Sequence, residues 1–337
     1  PGMRNKSKGA FRSGTSGLVL PVPNKQAFPP AFRDKSRLAY YSSLFNSIEI
    51  NSSFYKVPQA ATVKKWSETV PEGFVFTFKL WREITHVKEL AFKRGDILRF
   101  MEIISHAGDK KGSLLLQFPP SVTVERFGPV EKMLGILQNM DHGWQVALEF
   151  RHPSWYIGEV YELADEHLCS IVLQDIPKSK NTQVNKHAPF VYLRFHGPAG
   201  DYRGGYSDEH LQQQAALIHS WRNKGKDVYA YFNNTIGDAV QDGAEGSAVT
   251  YNSRPPASGP SARDGSWSTS RTRAGRTIRA RGPTPASRTA RPRRSHRWRK
   301  SPRSSRMSTA MPSPPNSTPI GAKWRASATC PPRAWPS

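Results

Sequence analysis

Ser113-Leu114-Leu115-Leu116-Gln117-Phe118 is followed by Val130, Met133, Leu134 and Leu137 at spacings of three and four, and then by Gln145-Val146-Ala147-Leu148-Glu149-Phe150. Residues 113–150 therefore read as strand, amphipathic helix, strand. Two strands joined by a crossover helix pair in parallel, with the helix covering one face of the sheet. The pattern recurs on both sides. Further strand-like runs are Phe45 to Ile50, Phe74 to Leu80, Cys169 to Gln174, Phe190 to His196 and Val228 to Phe232, with a weakly written eighth at Phe11 to Ser16. Helical spacing links Leu38, Tyr41 and Phe45, and again Val63, Trp66 and Val70; Asp34 and Ser207 stand where N-caps are expected. Eight strands alternating with helices predict one TIM-like (β/α)8 barrel rather than two small domains. An open doubly wound sheet is the alternative, but no GxGxxG or GxxxxGK[ST] follows any strand.

Charge divides the chain. The net formal charge is +23, from 49 basic and 26 acidic residues. Residues 243–337 carry 19 of the basic residues, 17 of them Arg, against only Glu245 and Asp264. That stretch has no Leu and no Phe, so it cannot bury enough apolar surface to offset chain entropy and is expected to be a disordered Arg/Pro/Ser-rich tail. The organisation expected is an N-terminal extension over 1–13, a barrel over 14–242 and the tail over 243–337. Cys169 and Cys330 form no disulfide framework or zinc spacing, and no apolar run approaches the roughly 20 residues of a membrane span. A cytoplasmic protein without membrane partners is the expectation.

The barrel prediction directs attention to the C-terminal strand ends, where active sites of such folds are built. Glu49, Asn51 and Tyr55 follow the second strand; Lys79 and then His86 follow the third. Gln117 ends the fourth, Glu149 and Arg151 the fifth, Asp175 follows the sixth, Arg194 and His196 end the seventh, and Asn233 follows the eighth. The two-residue period puts Arg194 and His196 on one inner face, and Glu149 with Arg151 likewise. Singly, each has a plain structural reading: Glu149 with Arg151 is an ion pair, Lys79 a surface lysine, His86 a loop residue. Together they converge on one rim, and charged groups there cost desolvation unless they pair or meet a ligand. Gly200-Asp201-Tyr202-Arg203-Gly204-Gly205-Tyr206 reads as a lid over that mouth.

Several of these stretches also resemble one family. Gly14-Thr15-Ser16-Gly17, Glu49-Ile50-Asn51-Ser52-Ser53-Phe54-Tyr55, Leu116-Gln117-Phe118-Pro119-Pro120, Glu149-Phe150-Arg151-His152-Pro153-Ser154-Trp155, Tyr192-Leu193-Arg194-Phe195-His196-Gly197 and Tyr231-Phe232-Asn233-Asn234-Thr235 are similar, in consistent order from Gly14 to about Gln241, to the YecE-like proteins, domain-of-unknown-function family 72. The resemblance implies a TIM-like barrel and supplies no reaction. Two departures stand out: Leu18 to Gln26 replaces an aromatic-rich stretch, and the final helix expected after Thr235 gives way near Gln241 to the basic tail. The abrupt change from Lys to Arg with loss of Leu is what an out-of-frame reading of a GC-rich gene produces. A frameshift is therefore expected, with the barrel truncated before its last helix, and Pro1-Gly2 ahead of Met3 suggests a start placed too early.

Three functions follow as expectations. The first is an enzyme, of hydrolase, lyase or isomerase type, acting on a small anionic substrate. Glu49, His86, Glu149 and His196 would do acid–base work there, with His196 free to titrate near neutrality, while Asn51, Tyr55, Lys79, Gln117, Arg151, Asp175, Arg194 and Asn233 bind substrate. If a divalent metal takes part, His86, Glu149, Asp175 and His196 are its expected ligands. The second is non-specific nucleic-acid binding through the tail, with Trp298, Trp324 and Trp335 within it. The third is a frameshifted product with no function of its own.

Overall fold

The computed structural model describes residues 7–234. The expectations of a disordered tail, a missing last helix, a frameshift and tail-borne nucleic-acid binding concern residues outside that range.

All strand pairings are parallel, as the crossover helices require. The order along the chain is β1 (Phe11–Thr15), α1 (Arg37–Leu44), β2 (Ser47–Ile50), α2 (Ser52–Tyr55), α3 (Ala60–Thr69), β3 (Val75–Lys79), α4 (Arg82–Thr85) and α5 (Arg94–Ser105). It continues with β4 (Lys111–Phe118), α6 (Phe127–Gln138), β5 (Gln145–Phe150), α7 (Gly158–Glu166), β6 (Ser170–Ile171), β7 (Leu173–Gln174), β8 (Phe190–Phe195), α8 (Asp208–Asn223) and β9 (Asp227–Phe232). β6 and β7 are one run interrupted at Val172, whose N–H still reaches Leu148 O at 2.9 Å. β2 to β6 run in chain order, and β7, β8, β9 and β1 continue it. The Ser16–Glu49 bridge and the Gly17 N to Glu49 O hydrogen bond join β1 back to β2. Eight strand positions thus follow one another round a ring, in the TIM-like order.

Period-two alternation sorts the side chains. Val191, Leu193, Phe195, Val228, Ala230 and Phe232 point outward and pack with Leu211 and Ile218 of α8. Val75, Leu115, Ala147, Val172, Phe190, Tyr192, Tyr229 and Tyr231 fill the interior. A filled interior leaves the strand ends as the place for a site. Tyr231 OH lies within hydrogen-bond reach of both Ser47 Oγ (2.5 Å) and Thr77 Oγ1 (2.7 Å), so its buried hydroxyl is satisfied.

Three details depart from the sequence reading. β1, weak in sequence, registers with β9 over five pairs from Phe11 to Thr15, so the barrel begins ahead of the Gly14 boundary. α1 is capped by Ser36, whose Oγ accepts from Ala39 N at 3.1 Å, and not by Asp34; Ser36 is the extended residue directly before the first helical turn. Ser207 does cap α8, accepting from His210 N. Between β7 and β8 there is a single turn, Pro177–Ser179, where alternation predicts a helix. Residues 176–189 hold only Ile176, Val184 and Ala188 as apolar residues, too few for a helix there to bury a continuous face. Among the described residues no helix is long and apolar enough to cross a membrane.

The join between β1 and β2 is tight. Tyr41 from α1 inserts its hydroxyl there, accepting from Thr15 N (2.7 Å) and donating to Ser47 O (3.1 Å). A Cβ on Gly14 would sit 2.1 Å from Ser47 O and 2.7 Å from the Tyr41 hydroxyl, so only glycine lets the strands close. Gly14→Ala is expected to destabilise the protein by about 1–3 kcal/mol in urea unfolding, as overpacking does. Gly135→Ala, inside α6 where a Cβ meets nothing within 4 Å, is expected to stabilise by roughly 0.5–1 kcal/mol. Equal effects would show that ring closure at Gly14 is not close-packed.

Candidate functional site

The alternation that points Tyr192 and Arg194 inward from β8 brings Arg194 across the barrel to β2 and β5. Its guanidinium is buried at 2% exposure. Nε and Nη2 donate to Glu49 Oε2 (3.1 Å) and Oε1 (2.7 Å), a bidentate pair, while Nη1 donates to Glu149 Oε2 at 2.7 Å. Weaker bonds to Ser16 Oγ and His196 Nε2, both 3.4 Å, occupy the remaining N–H groups. Glu49 also accepts from Tyr192 OH (2.5 Å) and Ser16 Oγ (2.7 Å). Burial by itself would raise both carboxyls; the cations win. Arg194, with Tyr192 and Ser16, holds Glu49 below its ordinary range, and Arg151 with Arg194 lowers Glu149 to about 2.

Above this layer Arg151 places Nη2 2.8 Å from Glu149 Oε1 and 3.2 Å from His196 Nε2. Glu149 Oε1 is nevertheless not aligned as a hydrogen-bond acceptor. Because Arg151 and Arg194 both donate toward His196 Nε2, that nitrogen carries the lone pair and Nδ1 carries the proton, given to Asp175 Oδ1 at 3.1 Å. Burial lowers the His196 pKa, the Asp175 hydrogen bond opposes this, and Arg194 adds to the lowering. His196 is therefore neutral at pH 7, and the expectation that it titrates freely near neutrality is corrected: two guanidinium groups already occupy the lone pair a proton would need. Asp175 also accepts from the Tyr206 hydroxyl, and Arg151 Nη1 donates to Tyr202 OH at 3.1 Å. The lid segment is thus tied down at both tyrosines. Gly197 permits its close approach, since a Cβ there would meet Arg203 O at 2.2 Å.

A cavity of about 550 Å³ opens over this layer, lined by residues that include Asn51, Tyr55, Lys79, Arg82, Arg151 and Arg194. None of its described lining residues is a carboxylate. Lys79, half-buried at the end of β3, holds Nζ 4.1 Å from the centre of the Phe54 ring. Burial, aided by the charge of Arg194, brings its pKa down to about 8. His86, just after α4, packs edge-on against the same ring, and its Nδ1 lies 2.9 Å from Thr85 Oγ1. Burial and the neighbouring Lys79 lower it to about 4.

Of the residues expected at the rim, Asn51, Tyr55, Lys79, His86, Gln117, Arg151, Arg194 and Asn233 all line the cavity. Glu49, Glu149, Asp175 and His196 lie outside its lining, within the hydrogen-bonded network around Arg194 and Arg151. The metal set of His86, Glu149, Asp175 and His196 does not come together: among the described residues no three His, Cys, Asp or Glu side chains form a metal-binding group. Guanidinium groups already engage Glu149 and the His196 lone pair, which disfavours a cation there. Arg82 was missed because nothing in a residue one turn past a strand marks it. Ser16 and Tyr192 were legible, one in the Gly-Thr-Ser-Gly motif and the other two residues before Arg194 on the inner face.

The fold and site define a parallel α/β barrel with a cation-lined mouth above a buried Glu–Arg–Glu clamp. The chain belongs to the family described as protein of unknown function DUF72, which it matches over residues 12–252. It is 26% identical to the UPF0759 protein YunF of Bacillus subtilis over 256 residues, covering 65% of this chain and 88% of YunF. It is 27% identical to the UPF0759 protein YecE of Escherichia coli over 121 residues, 35% of this chain and 43% of YecE. Among solved structures it is similar to DUF72 family proteins from Enterococcus faecalis (TM-score 0.60, 21% identity, 75% of this chain and 100% of that one) and Thermotoga maritima (TM-score 0.59, 25% identity, 72% and 97%). The resemblance read from the motifs is the family found.

Removing Arg194 leaves Glu49 buried without a cation and Glu149 with Arg151 alone. Arg194→Met is expected to cost about 3–5 kcal/mol in urea unfolding, or to prevent folding, and a cost under about 1 kcal/mol would remove the clamp from the account. The pH dependence has a definite sign. His86 and His196 are lowered from an ordinary value of 6.5, so unfolded chains bind more protons below that pH, and stability falls as pH drops from 6.5 toward 4. Glu149, lowered from 4.5 to about 2, adds a second loss below pH 4.5. Urea midpoints measured from pH 8 to pH 3 should decline in both windows; a flat response between pH 6.5 and 4 contradicts the buried neutral imidazoles.

Proposed function

We propose that the protein is a barrel enzyme that binds a small substrate bearing a phosphate or carboxylate and acts on it by acid–base chemistry. The observation that carries this reading is the charge of the cavity: Lys79, Arg82, Arg151 and Arg194 line it and no described lining residue is acidic. Its volume lies within the range of small-molecule sites. Arg194 has no donor to spare, because Glu49, Glu149, Ser16 and His196 take its N–H groups. Anion capture falls to Arg151, whose Nε is buried with no acceptor, and to the half-exposed Arg82.

Proton transfer falls to the two titratable groups that face the cavity. With a pKa near 8, Lys79 is mainly an ammonium at neutral pH and serves as a proton donor close to its balance point. With a pKa near 4, His86 is a neutral imidazole and serves as the acceptor. Glu49, Glu149 and Arg194 act as positioning residues, fixing the floor against which substrate and Arg151 are set.

Calorimetric titration with inorganic phosphate tests the reading. Arg151→Gln and Arg82→Gln should each weaken binding by about tenfold or more, the value of a charge-assisted hydrogen bond. Arg222→Gln, on α8 outside the cavity, should change it less than twofold. Indistinguishable effects from all three, or no phosphate binding by the unaltered protein, would overturn it.

A further inference from the structure

We propose that Lys79 is a nucleophilic amine that condenses with the carbonyl of a small anionic aldehyde or ketone to form an imine; the proposal rests on the anion-binding reading of the cavity. Position comes first. Lys79 ends β3, where its backbone is held in register with Leu115 and its carbonyl accepts from Ser53 Oγ at 2.7 Å. The side chain starts from a rigid strand end and lines the cavity.

Its partners set it apart from the other cations there. Arg194 is paired with Glu49 and Glu149, Arg151 with Glu149, and Arg82 stands 3.6 Å from Glu83. Among the described residues no carboxylate or hydrogen-bond acceptor engages Lys79 Nζ, which has only the face of Phe54. A lysine placed for structure would share one of the glutamates beneath it; here Arg194 has taken both. The surrounding positive charge acts twice. It attracts an anionic ligand, and it adds to burial, the larger cause, in weakening the hold of Nζ on its proton against the opposing pull of Glu149 and Glu49, so the free amine is well populated near pH 8. His86 beside it is a neutral base, and Asn51 Oδ1, on the same cavity, is buried without a donor.

The step balances without an outside reagent. Once Lys79 Nζ has lost its proton to solvent, its lone pair forms a C–N bond as the carbonyl π pair moves to oxygen. That oxygen is protonated from the nitrogen through His86, giving a carbinolamine whose hydroxyl can be accepted by Asn51 Oδ1. The hydroxyl leaves as water with a proton taken from solvent, and the nitrogen lone pair closes to C=N, leaving a protonated imine. One water is released for one imine, with no change of oxidation state.

Reductive trapping tests this on the full chain. The protein is incubated with glycolaldehyde phosphate, pyruvate or neutral glycolaldehyde together with cyanoborohydride, and the modified lysines are mapped by peptide mass spectrometry. Lys79 should be modified at least tenfold faster than any other lysine by an anionic carbonyl, and at least tenfold faster by glycolaldehyde phosphate or pyruvate than by glycolaldehyde. Which of the two reacts distinguishes a phosphate-bearing from a carboxylate-bearing ligand. The rate should rise with pH and level off above about 8, inorganic phosphate should protect, and Lys79→Arg should lose the adduct. Modification spread evenly over the lysines, or Lys79 reacting equally with the neutral aldehyde, overturns the proposal. Phosphate binding without any Lys79 adduct overturns this inference alone; absence of phosphate binding overturns the reading beneath it as well.

Discussion

One guanidinium holding two carboxylates across the barrel organises everything above it. Arg194 comes from β8, Glu49 from β2 and Glu149 from β5, so three strands that are not neighbours in the ring are tied by three N–H groups. Such a buried cluster is a poor source of stability, because desolvation offsets most of the Coulomb attraction, and it is sensitive to the loss of any member. Its value here is positional. The two carboxylates stay ionised and engaged, which removes acidic acceptors from the cavity and leaves the cations of the mouth facing whatever enters.

That arrangement explains why Lys79 and His86, rather than the glutamates, carry the chemistry proposed. A carboxylate held near 2 by Arg151 and Arg194 is too weak a base to serve at neutral pH. Lys79 and His86 are shifted in the same direction by burial and by positive neighbours, yet their ordinary values lie far enough apart that one ends near 8 and the other near 4. A single electrostatic environment therefore yields a donor and an acceptor. Phe54 brings them together, contacting both through one ring.

Much of this was legible along the chain. Tyr192-Leu193-Arg194-Phe195-His196 alternates so cleanly that the inward direction of Arg194 followed from period two, and Gln145 to Phe150 gave β5 with its observed bounds. β1 was faint because Phe11–Thr15 has one large apolar residue, and its stability comes from pairing with β9 and from Tyr41, both distant in sequence. The missing helix after β7 was legible in principle, in the scarcity of apolar residues over 176–189, but regular alternation elsewhere masked it. The titration state of His196 was not legible, since it depends on Arg151 and Arg194 both donating to one nitrogen.

The sequence by itself determined the parallel α/β architecture, the family and the ring of polar strand ends, because each rests on local periodicity or on contiguous motifs. Only the tertiary structure decided which charges pair. Arg194 lies 145 residues from Glu49 and 45 from Glu149, and a period of two says which face a side chain takes without saying which strand stands opposite. Pairing across the barrel is set by ring closure and side-chain length, and it is that pairing which turned two candidate acids into a buried clamp and left Lys79 without a carboxylate at ion-pair distance among the described residues.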